Sequence, residues 1–319
     1  MNIVMLESIG LSKEKTEALA REIIEAGHNF TAYYERSKNT DELKDRVKYA
    51  DILLLANMPL PDEVIRSAEN LKMISVAFTG IDHIDLKVCK EKNIMICNAA
   101  GYSTHAVAEL AFGLMLSVIR NIIPLDAAVR KGGTKMGYSQ NELFGKTLGI
   151  IGTGAIGLRT AQIASAFGMR VLAYSRTQKS EAVSQGIRYV ELDELLSQSD
   201  IVSLHVPLNA ETKNLINEQK LSIMKKSAIL INTARGPVVD SQAVAEALKN
   251  GSIAGAGIDV FEVEPPVPQE HPFFSTPNTV VTPHIAFAAE EAILRRAVIV
   301  FDNINLYLKG VPQNVAEIK

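Results

Sequence analysis

Residues 148–157 read LGIIGTGAIG, an apolar run that leads into three glycines with the spacing G-x-G-x-x-G. The apolar run is typical of a buried parallel strand, and residues 158–167 are predicted to form the helix after it. The first glycine permits a tight turn, the second lets the backbone approach a phosphate, and the third lets the helix pack closely on the strand. We therefore predict a dinucleotide site at a helix N-terminus. Its pyrophosphate-binding residues are Gly152, Gly154, Ala155, Ile156 and Gly157.

The end of the next predicted strand, 170–174, indicates which dinucleotide is bound. An acid at this place would accept hydrogen bonds from the adenosine ribose and repel a 2′-phosphate. The chain has Ser175, Arg176 and Thr177 there instead. Serine removes the repulsion, and Arg176 with Thr177 is suited to bind the phosphate, so NADP(H) is favoured and NAD(H) remains possible. The alternative, that Arg176 only stacks on adenine, is compatible with NAD(H).

Length, charge and cysteine content narrow the class of protein. The 319 residues suit two domains, and the net charge of −3 leaves no basic surface for nucleic acid or membrane. Two cysteines without CxxC spacing fit a reducing cytoplasm, and no histidine spacing is typical of a metal site. Glu7 comes too early for a signal peptide, and the longest apolar stretch, 106–119, is short for a bilayer. We expect a soluble cytoplasmic protein without a metal.

The first hundred residues alternate short β-type runs with amphipathic helical segments, which predicts an α/β fold with a parallel sheet. This half contains no glycine fingerprint, so we do not expect the nucleotide there. The predicted strands are 3–6, 29–33, 51–55, 73–76 and 94–97, and the predicted helices include 13–25 and 62–69.

Three later segments bear on how the domains are joined. From Ser103 or Thr104, either suited to cap a helix, an almost wholly apolar helix is predicted to reach residue 119. A helix that is apolar all round is buried between domains or between subunits, so a homodimer through this region is expected. Residues 121–140, which are poorly periodic, are interpreted as the connection into the second domain. The last predicted helix, 290–308, has an apolar face that needs a surface to cover.

Polar residues follow three predicted strands of the second half, where ligands bind in open α/β sheets. Strand 228–232 leads to Arg235, strand 254–260 to Glu264, and strand 280–282 to His284. Guanidinium binds a carboxylate bidentately and stays charged. Imidazole titrates near neutrality and can protonate a carbonyl oxygen, while a nearby carboxylate favours its protonated form. The three residues are the minimum set for reducing a 2-keto acid, although each alone is compatible with a purely structural role.

Together these motifs resemble the D-isomer-specific 2-hydroxyacid dehydrogenase family. The resemblance spans nearly the whole chain in order, through the glycine loop, NTARG at 232–236, GAGIDV at 255–260 with Glu264-Pro265, and TPHI at 282–285. It implies that Arg235, Glu264 and His284 are catalytic, and that Arg235 and His284 also contact the substrate. The backbone of Phe78, Thr79 and Gly80 would bind the substrate carboxylate. Candidate cofactor contacts outside the glycine loop are Thr104, Ser175, Arg176, Thr177, His205, Thr233 and Asp259, of which Asp259 would lie beside the nicotinamide. For His205, at the end of predicted strand 201–206, a packing role is the favoured alternative.

The resemblance also implies an architecture of two doubly wound parallel-sheet domains, with a Rossmann domain inserted into a flavodoxin-like substrate domain. The substrate domain would comprise 1–100 and 286–319, and the dinucleotide-binding domain 101–285 with the interdomain helix. The last helix would then return to the first domain. The reaction would take place in the cleft between the domains, which is expected to close and exclude water.

The motifs GYST at 101–104 and TPHIAF at 282–287 are most similar to the glycerate dehydrogenase, or hydroxypyruvate and glyoxylate reductase, branch. The chain lacks tryptophan, whereas relatives often carry one after the interdomain connection and one after the catalytic histidine, so the acid that is reduced stays open. One alternative is a dinucleotide-sensing corepressor on the same fold. Another is a relative of adenosylhomocysteine hydrolase, disfavoured by length and by the arrangement of Arg235, Glu264 and His284.

Overall fold

The computed structural model describes residues 1–263 and 266–316. Glu264, one of the three predicted catalytic residues, therefore lies outside the described residues. The chain divides into two compact units, the first formed by Met1–Ser103 and Ala288–Lys319 and the second by Thr104–Phe287. These limits differ by a few residues from the expected 1–100, 286–319 and 101–285.

The first unit is built on a five-stranded parallel sheet with the order β2-β1-β3-β4-β5. The central strands β3 and β4 are buried at every residue, as expected for a sheet covered on both faces. Ser12 caps the first helix by accepting a hydrogen bond from the Lys15 N–H. The strands are β1 (Asn2–Met5), β2 (Asn29–Ala32), β3 (Ile52–Leu55), β4 (Met73–Val76) and β5 (Met95–Cys97), and the helices are α1 (Lys13–Glu25), α2 (Thr40–Val47), α3 (Asp62–Ser67) and α4 (Leu86–Glu91).

The second unit is built on a seven-stranded parallel sheet with the order β12-β11-β10-β9-β6-β7-β8. Strands β7 and β8 are added on one side of β6, and strands β9 to β12 are added on the other side. The point between β6 and β9 where this direction changes is where a doubly wound sheet binds its ligand. The strands are β6 (Thr147–Ile151), β7 (Arg170–Tyr174), β8 (Arg188–Tyr189), β9 (Ile201–Leu204), β10 (Ile229–Asn232), β11 (Gly255–Ile258) and β12 (Thr279–Val281). The helices are α5 (Thr104–Ile119), α6 (Ile122–Arg130), α7 (Ala155–Ala166), α8 (Ser180–Ser184), α9 (Leu192–Gln198), α10 (Glu218–Ile223) and α11 (Ser241–Lys249).

The last helix, α12 (Glu290–Leu308), belongs to the first unit and packs on α1 and β4. The Ser75 hydroxyl of β4 donates a 3.0 Å hydrogen bond to the carbonyl of Val300, and Phe301 is among the most deeply buried side chains. The surface that its apolar face requires is therefore the first sheet. The same unit contains both cysteines, Cys89 and Cys97, which are buried and unpaired.

One expectation about the segment after Ser103 is corrected, and one stays a prediction. Helix α5 packs on α7 and on β10 to β12, while His105, Glu109 and Gly113 form an exposed stripe at helical spacing in the single chain, so burial of this side against a second subunit stays a prediction. Residues 121–140 are not only a connection, since they include α6. None of the side chains of α6 is buried, so its apolar residues do not mark a core-facing stripe.

No single helix in the described ranges is long and apolar enough to span a membrane. Helices α5 and α6 reach the required length and composition only as a pair, with a bend of 57° between them.

Candidate functional site

Two of the three glycines in the loop after β6 are required by the backbone around them. Gly152 has φ +98°, and a Cβ there would lie 2.5 Å from the carbonyl oxygen of His205. A Cβ on Gly157 would lie 2.0 Å from the carbonyl oxygen of Gly152. The first glycine thus makes the turn and the last brings α7 onto the strand, as the spacing predicts.

Gly154 differs because neither its backbone angles nor its neighbours demand glycine. Its φ is −68°, and a Cβ there would meet no atom of the described chain within 4 Å. It caps α7 without any side-chain hydrogen bond to the first turn, which begins with Ala155 and Ile156. The N–H groups of a first turn have no partner within the helix, so this open space suits an anion such as a pyrophosphate.

The turn after β7 carries Ser175, Arg176 and Thr177 at the predicted place, and an acid lies beside it after all. Nη1 of Arg176 is 3.1 Å from Oε2 of Glu211, and both side chains are about 70% exposed. Glu211 comes from the loop after β9, so no local spacing in the sequence could have identified this pair.

His205, which directly follows β9, is held by contacts with β9 and with the neighbouring strand β6. Its Nε2 lies 3.0 Å from Oγ of Ser203, and its N–H donates to the carbonyl of Ile151. Burial lowers the pKa of the ring to about 4, so the imidazole is neutral at pH 7. These contacts favour the packing role over a cofactor contact.

Arg235 leaves the end of β10 on a turn that Asn232 holds. The fully buried amide of Asn232 donates to the carbonyl of Arg235 at 2.9 Å and accepts from the N–H of Ala234 at 3.0 Å. Gly236 allows this turn to meet the next one, because a Cβ there would lie 2.0 Å from the carbonyl carbon of Phe261. The hydroxyl of Thr233 is buried with no hydrogen-bond partner in the described parts of the chain.

His284, in the turn after β12, has a left-handed backbone with φ +57°, which is unusual for a residue with a side chain. Asp259, at the end of β11, holds this conformation. Its carbonyl accepts from the His284 N–H at 2.8 Å. Its fully buried carboxylate accepts from the Thr282 hydroxyl at 2.5 Å and from the N–H groups of Ile285 and Ala286 at 2.9 and 2.8 Å. The His284 ring meets Phe287 edge to face, with ring centroids 5.4 Å apart.

Burial raises the pKa of the Asp259 carboxyl, although its hydrogen bonds oppose this shift. Both carboxylate oxygens are committed to the turn that carries His284. The family resemblance implies that Asp259 lies beside the nicotinamide, and that role stays a prediction. Its role in shaping the turn was missed, because it depends on backbone N–H groups brought together only by the fold.

The loop after β11 is clamped by Ser241, Glu262 and His271. The Glu262 carboxylate accepts hydrogen bonds from the Ser241 hydroxyl and from Nε2 of His271, the latter at 3.0 Å. Burial would raise the pKa of Glu262, but the hydrogen bonds from His271 and Ser241 outweigh it and lower the pKa. The clamp was not predicted, because Ser241, Glu262 and His271 are separated in the sequence and are brought together only by the fold. The loop continues towards Glu264, which lies outside the described residues.

The sheet brings the Arg235 and His284 turns to neighbouring strand ends. Asn232 of β10 is in register with Ile258 of β11, which is in register with Val281 of β12. Arg235, Asp259 and His284 therefore follow three adjacent strands at the carboxyl edge of the sheet. In the described ranges no group of three or more His, Cys, Asp and Glu residues could hold a metal ion.

In the first unit, the predicted carboxylate-binding loop follows β4. The carbonyl of Phe78 accepts from Ala99 at 3.0 Å, and that of Thr79 accepts from the Asn98 amide at 2.9 Å. Within residues 1–263 and 266–316, the N–H groups of Thr79 and Gly80 donate no hydrogen bond. The loop is anchored through its carbonyls and presents N–H groups, the polarity that an anion requires. Thr104, the first residue of α5, is half-buried.

Comparison with known proteins gives one consistent result. Residues 112–286 match the family model described as D-isomer specific 2-hydroxyacid dehydrogenase, NAD binding domain. A glyoxylate reductase of Thermofilum pendens is 44% identical over 278 residues, which cover 85% of this chain and 82% of that protein. A glycerate dehydrogenase of Methylorubrum extorquens is 38% identical over 318 residues, which cover 96% and 98%.

Solved structures resemble the chain over almost its full length. An acyclic imino acid reductase in complex with NADPH and D-Arg has a TM-score of 0.90 and 33% identity, covering 99% of this chain and 100% of that one. A D-lactate dehydrogenase from Aquifex aeolicus, complexed with NAD and lactic acid, has a TM-score of 0.84 and 30% identity, covering 97% and 96%.

Proposed function

Because the chain belongs to the D-isomer-specific 2-hydroxyacid dehydrogenase family, we propose that it reduces a small 2-keto acid of the glyoxylate and hydroxypyruvate class, or oxidises the corresponding D-2-hydroxy acid. It is an oxidoreductase that acts on 2-hydroxy acids with a nicotinamide dinucleotide. One observation supports the choice of site. The Arg235 and His284 turns lie on either side of Asp259 at one edge of a sheet, and the glycine loop of the same sheet leaves open space at a helix N-terminus.

In this proposal Arg235 binds the substrate carboxylate with its planar guanidinium and polarises the neighbouring carbonyl. The N–H groups of Thr79 and Gly80 bind the same carboxylate. His284 donates a proton to the carbonyl oxygen as the carbon is reduced, and takes it back in the reverse direction. Glu264 orients the His284 ring and favours its protonated form, a role that rests on the resemblance alone.

The residues around Gly154 fit a dinucleotide, because the glycine leaves room for a pyrophosphate at the first turn of α7. When bound, the reduced nicotinamide supplies the hydride. We propose NADP(H) as the preferred form, since the turn after β7 carries Arg176 and Thr177 and ends without an acid. Thr233, whose buried hydroxyl has no described partner, is proposed to contact the cofactor with Thr104 and Asp259.

Turnover of a panel of 2-keto acids tests the function. Oxidation of NADPH and NADH is followed with glyoxylate, hydroxypyruvate, pyruvate and phosphohydroxypyruvate. We expect turnover with glyoxylate or hydroxypyruvate, and no turnover with any of the four acids would overturn the proposal. His284→Asn is expected to lower kcat by about 10²–10⁴-fold, the usual contribution of a general acid. Arg235→Gln is expected to raise KM as well. The corepressor alternative is not favoured and predicts binding of the dinucleotide without turnover.

We also propose that the protein is a homodimer, with α6 and the residues after it covered by a second copy. Ile122 and Val129 of α6 are 49% and 66% exposed, and Met136 and Phe144 are 85% and 73% exposed. Apolar surface of this kind, concentrated in one segment, is typical of an interface. Light scattering should give twice the 34.7 kDa chain mass, and Val129→Glu should shift it towards the monomer. A monomeric parent protein would contradict the proposal.

A cytoplasmic location is proposed from the two cysteines. Burial raises the pKa of the Cys89 and Cys97 thiols to about 11 each, and neither forms a disulfide. Such thiols persist in a reducing compartment.

A further inference from the structure

Glu211 is the acid nearest to the turn that the sequence analysis associates with the 2′-phosphate. Strand β6 lies between β9 and β7 in the sheet, so the loop after β9 passes beside the glycine loop to reach the turn after β7. There Oε2 of Glu211 lies 3.1 Å from Nη1 of Arg176. The acid that dinucleotide-binding folds usually carry at the end of the second strand is thus supplied from a different connection.

The position of Glu211 is fixed by its own loop. The side-chain oxygen of Asn209 accepts hydrogen bonds from the N–H groups of Glu211 and Thr212, at 2.9 and 3.0 Å. The Thr212 hydroxyl donates to the carbonyl of Pro207 at 2.6 Å. These hydrogen bonds hold the backbone at Glu211 in one conformation. The pairing of its side chain with Arg176 therefore does not depend on a freely moving loop.

We propose that Glu211 is a specificity-determining residue for the cofactor, which competes with the 2′-phosphate of NADPH for Arg176 and so limits the preference for NADPH over NADH. The proposal rests on the proposed binding of a nicotinamide dinucleotide at the glycine loop. With NADPH, the Arg176 guanidinium must leave Glu211 or share its donors between a carboxylate and a phosphate. With NADH there is no phosphate, and the ion pair stays intact.

The size of the effect follows from the exposure of the pair. Exposed ion pairs are weak, equivalent to at most about fivefold in an equilibrium constant. A phosphate therefore displaces Glu211 rather than being excluded by it, and NADPH remains the preferred form. Glu211 reduces that preference by up to about fivefold, and the reduction diminishes with salt because both charges are in solvent.

Equilibrium binding of NADPH and NADH, by titration calorimetry on the full chain, tests the proposal without requiring turnover. Glu211→Gln should raise the ratio of NADPH affinity to NADH affinity by a measurable factor of up to about fivefold, by strengthening NADPH binding alone. Arg176→Ala should lower the same ratio by at least about tenfold, since it removes a charged hydrogen-bond donor to the phosphate. Glu218→Gln removes another exposed charge, from the first turn of α10 at the other end of the same connection, and should leave the ratio unchanged.

The double variant Arg176→Ala with Glu211→Gln distinguishes two effects of Glu211: competition with the 2′-phosphate for Arg176, and direct repulsion of that phosphate. If Glu211 acts by competing for Arg176, its effect on the ratio should largely disappear when Arg176 is absent. An equal effect in both backgrounds, or no effect of Glu211→Gln in the parent chain, would overturn the proposal. Failure of the parent chain to bind either dinucleotide would instead overturn the proposed function, so the two failures are distinguishable.

Discussion

The turn after β12 and the turn after β7 leave the same sheet, yet they are held in opposite ways. The first places His284 in a left-handed backbone, pinned by the fully buried carboxylate of Asp259. The second carries Arg176, which an exposed carboxylate holds from another loop. A buried, fully hydrogen-bonded charge fixes geometry strongly, because the alternative is a set of unsatisfied groups. An exposed ion pair costs little free energy to break, so Arg176 can exchange Glu211 for another anion while the fold stays intact.

The strongest test of this comparison removes Asp259. Asp259→Ala leaves the buried N–H of Ala286, and the partly buried donors of Thr282 and Ile285, without their acceptor. The cost is about 1–3 kcal/mol for a fully buried donor and less for a partly buried one. Removing a desolvated charge recovers part of this cost, so we expect the free energy of unfolding to fall by about 3–5 kcal/mol in urea titrations. Asp126→Ala, which breaks an exposed pair with Arg130, is the control and should cost less than about 1 kcal/mol. A loss of under about 1 kcal/mol for Asp259→Ala would contradict the buried-anchor description.

A second test uses the pH dependence of stability at His205. Its pKa is lowered to about 4 in the folded chain from an ordinary 6.5, so the unfolded chain binds the proton first as pH falls. The free energy of unfolding is therefore highest above about pH 6.5, and it falls by up to about 3 kcal/mol as the pH is lowered towards 4. His205→Gln should remove this part of the pH dependence, as measured by urea titrations at both ends of the range. The exposed His105→Gln serves as the control and should retain it.

The glycine loop offers a third test. It contains one glycine that the surrounding backbone requires, Gly157, and one that it does not require, Gly154. Gly157→Ala forces a Cβ to within 2.0 Å of the Gly152 carbonyl oxygen and should lower the free energy of unfolding by about 1–3 kcal/mol. Gly154→Ala meets no atom of the described chain and should leave stability within about 0.5 kcal/mol of the parent. It should nevertheless weaken dinucleotide binding, because the methyl group occupies the space proposed for the pyrophosphate. Equal stability losses for the two variants would remove the distinction between them.

The smallest expected effect is on the exposed pair itself. Glu211→Gln should change the free energy of unfolding by less than about 1 kcal/mol, and this difference should disappear in concentrated salt. Thermal or urea unfolding of the variant and the parent at low and high salt measures it. A larger, salt-independent loss would mean that the turn after β7 is as rigid as the turn after β12.

Local chemistry made much of the fold predictable. The limits of α1 and α12 and of β4 agree with the sequence analysis. The Ser12 cap and the apolar spacing mark α1, and apolar spacing along a short stretch of chain marks α12 and β4. The glycine loop was also predictable, since Gly152 and Gly157 each answer a different steric demand. Strand β9 ends at Leu204, before the predicted 206, and Pro207 soon follows, which has no N–H to donate to a ladder.

The remaining features depend on contacts between distant residues. The two-residue strand β8 exists only because it pairs with β7, and its own sequence carries no strand signal. The acid beside Arg176 is 35 residues away, and the anchor of the His284 turn is at the end of the preceding strand. Residue types at strand ends could therefore be predicted, whereas the side chains that hold them could not. Helix α6 was missed because its apolar residues face away from any core in the chain.

The two cysteines give the chain a natural reporter. Cys89 lies in α4 and Cys97 in β5, so both thiols belong to the first unit, and the chain contains no other cysteine. A thiol reagent reacts with a buried thiol only after the segment around it opens. The labelling rate of the unmodified protein, followed residue by residue by mass spectrometry, therefore measures local opening of the five-stranded sheet and α4 without any engineered probe.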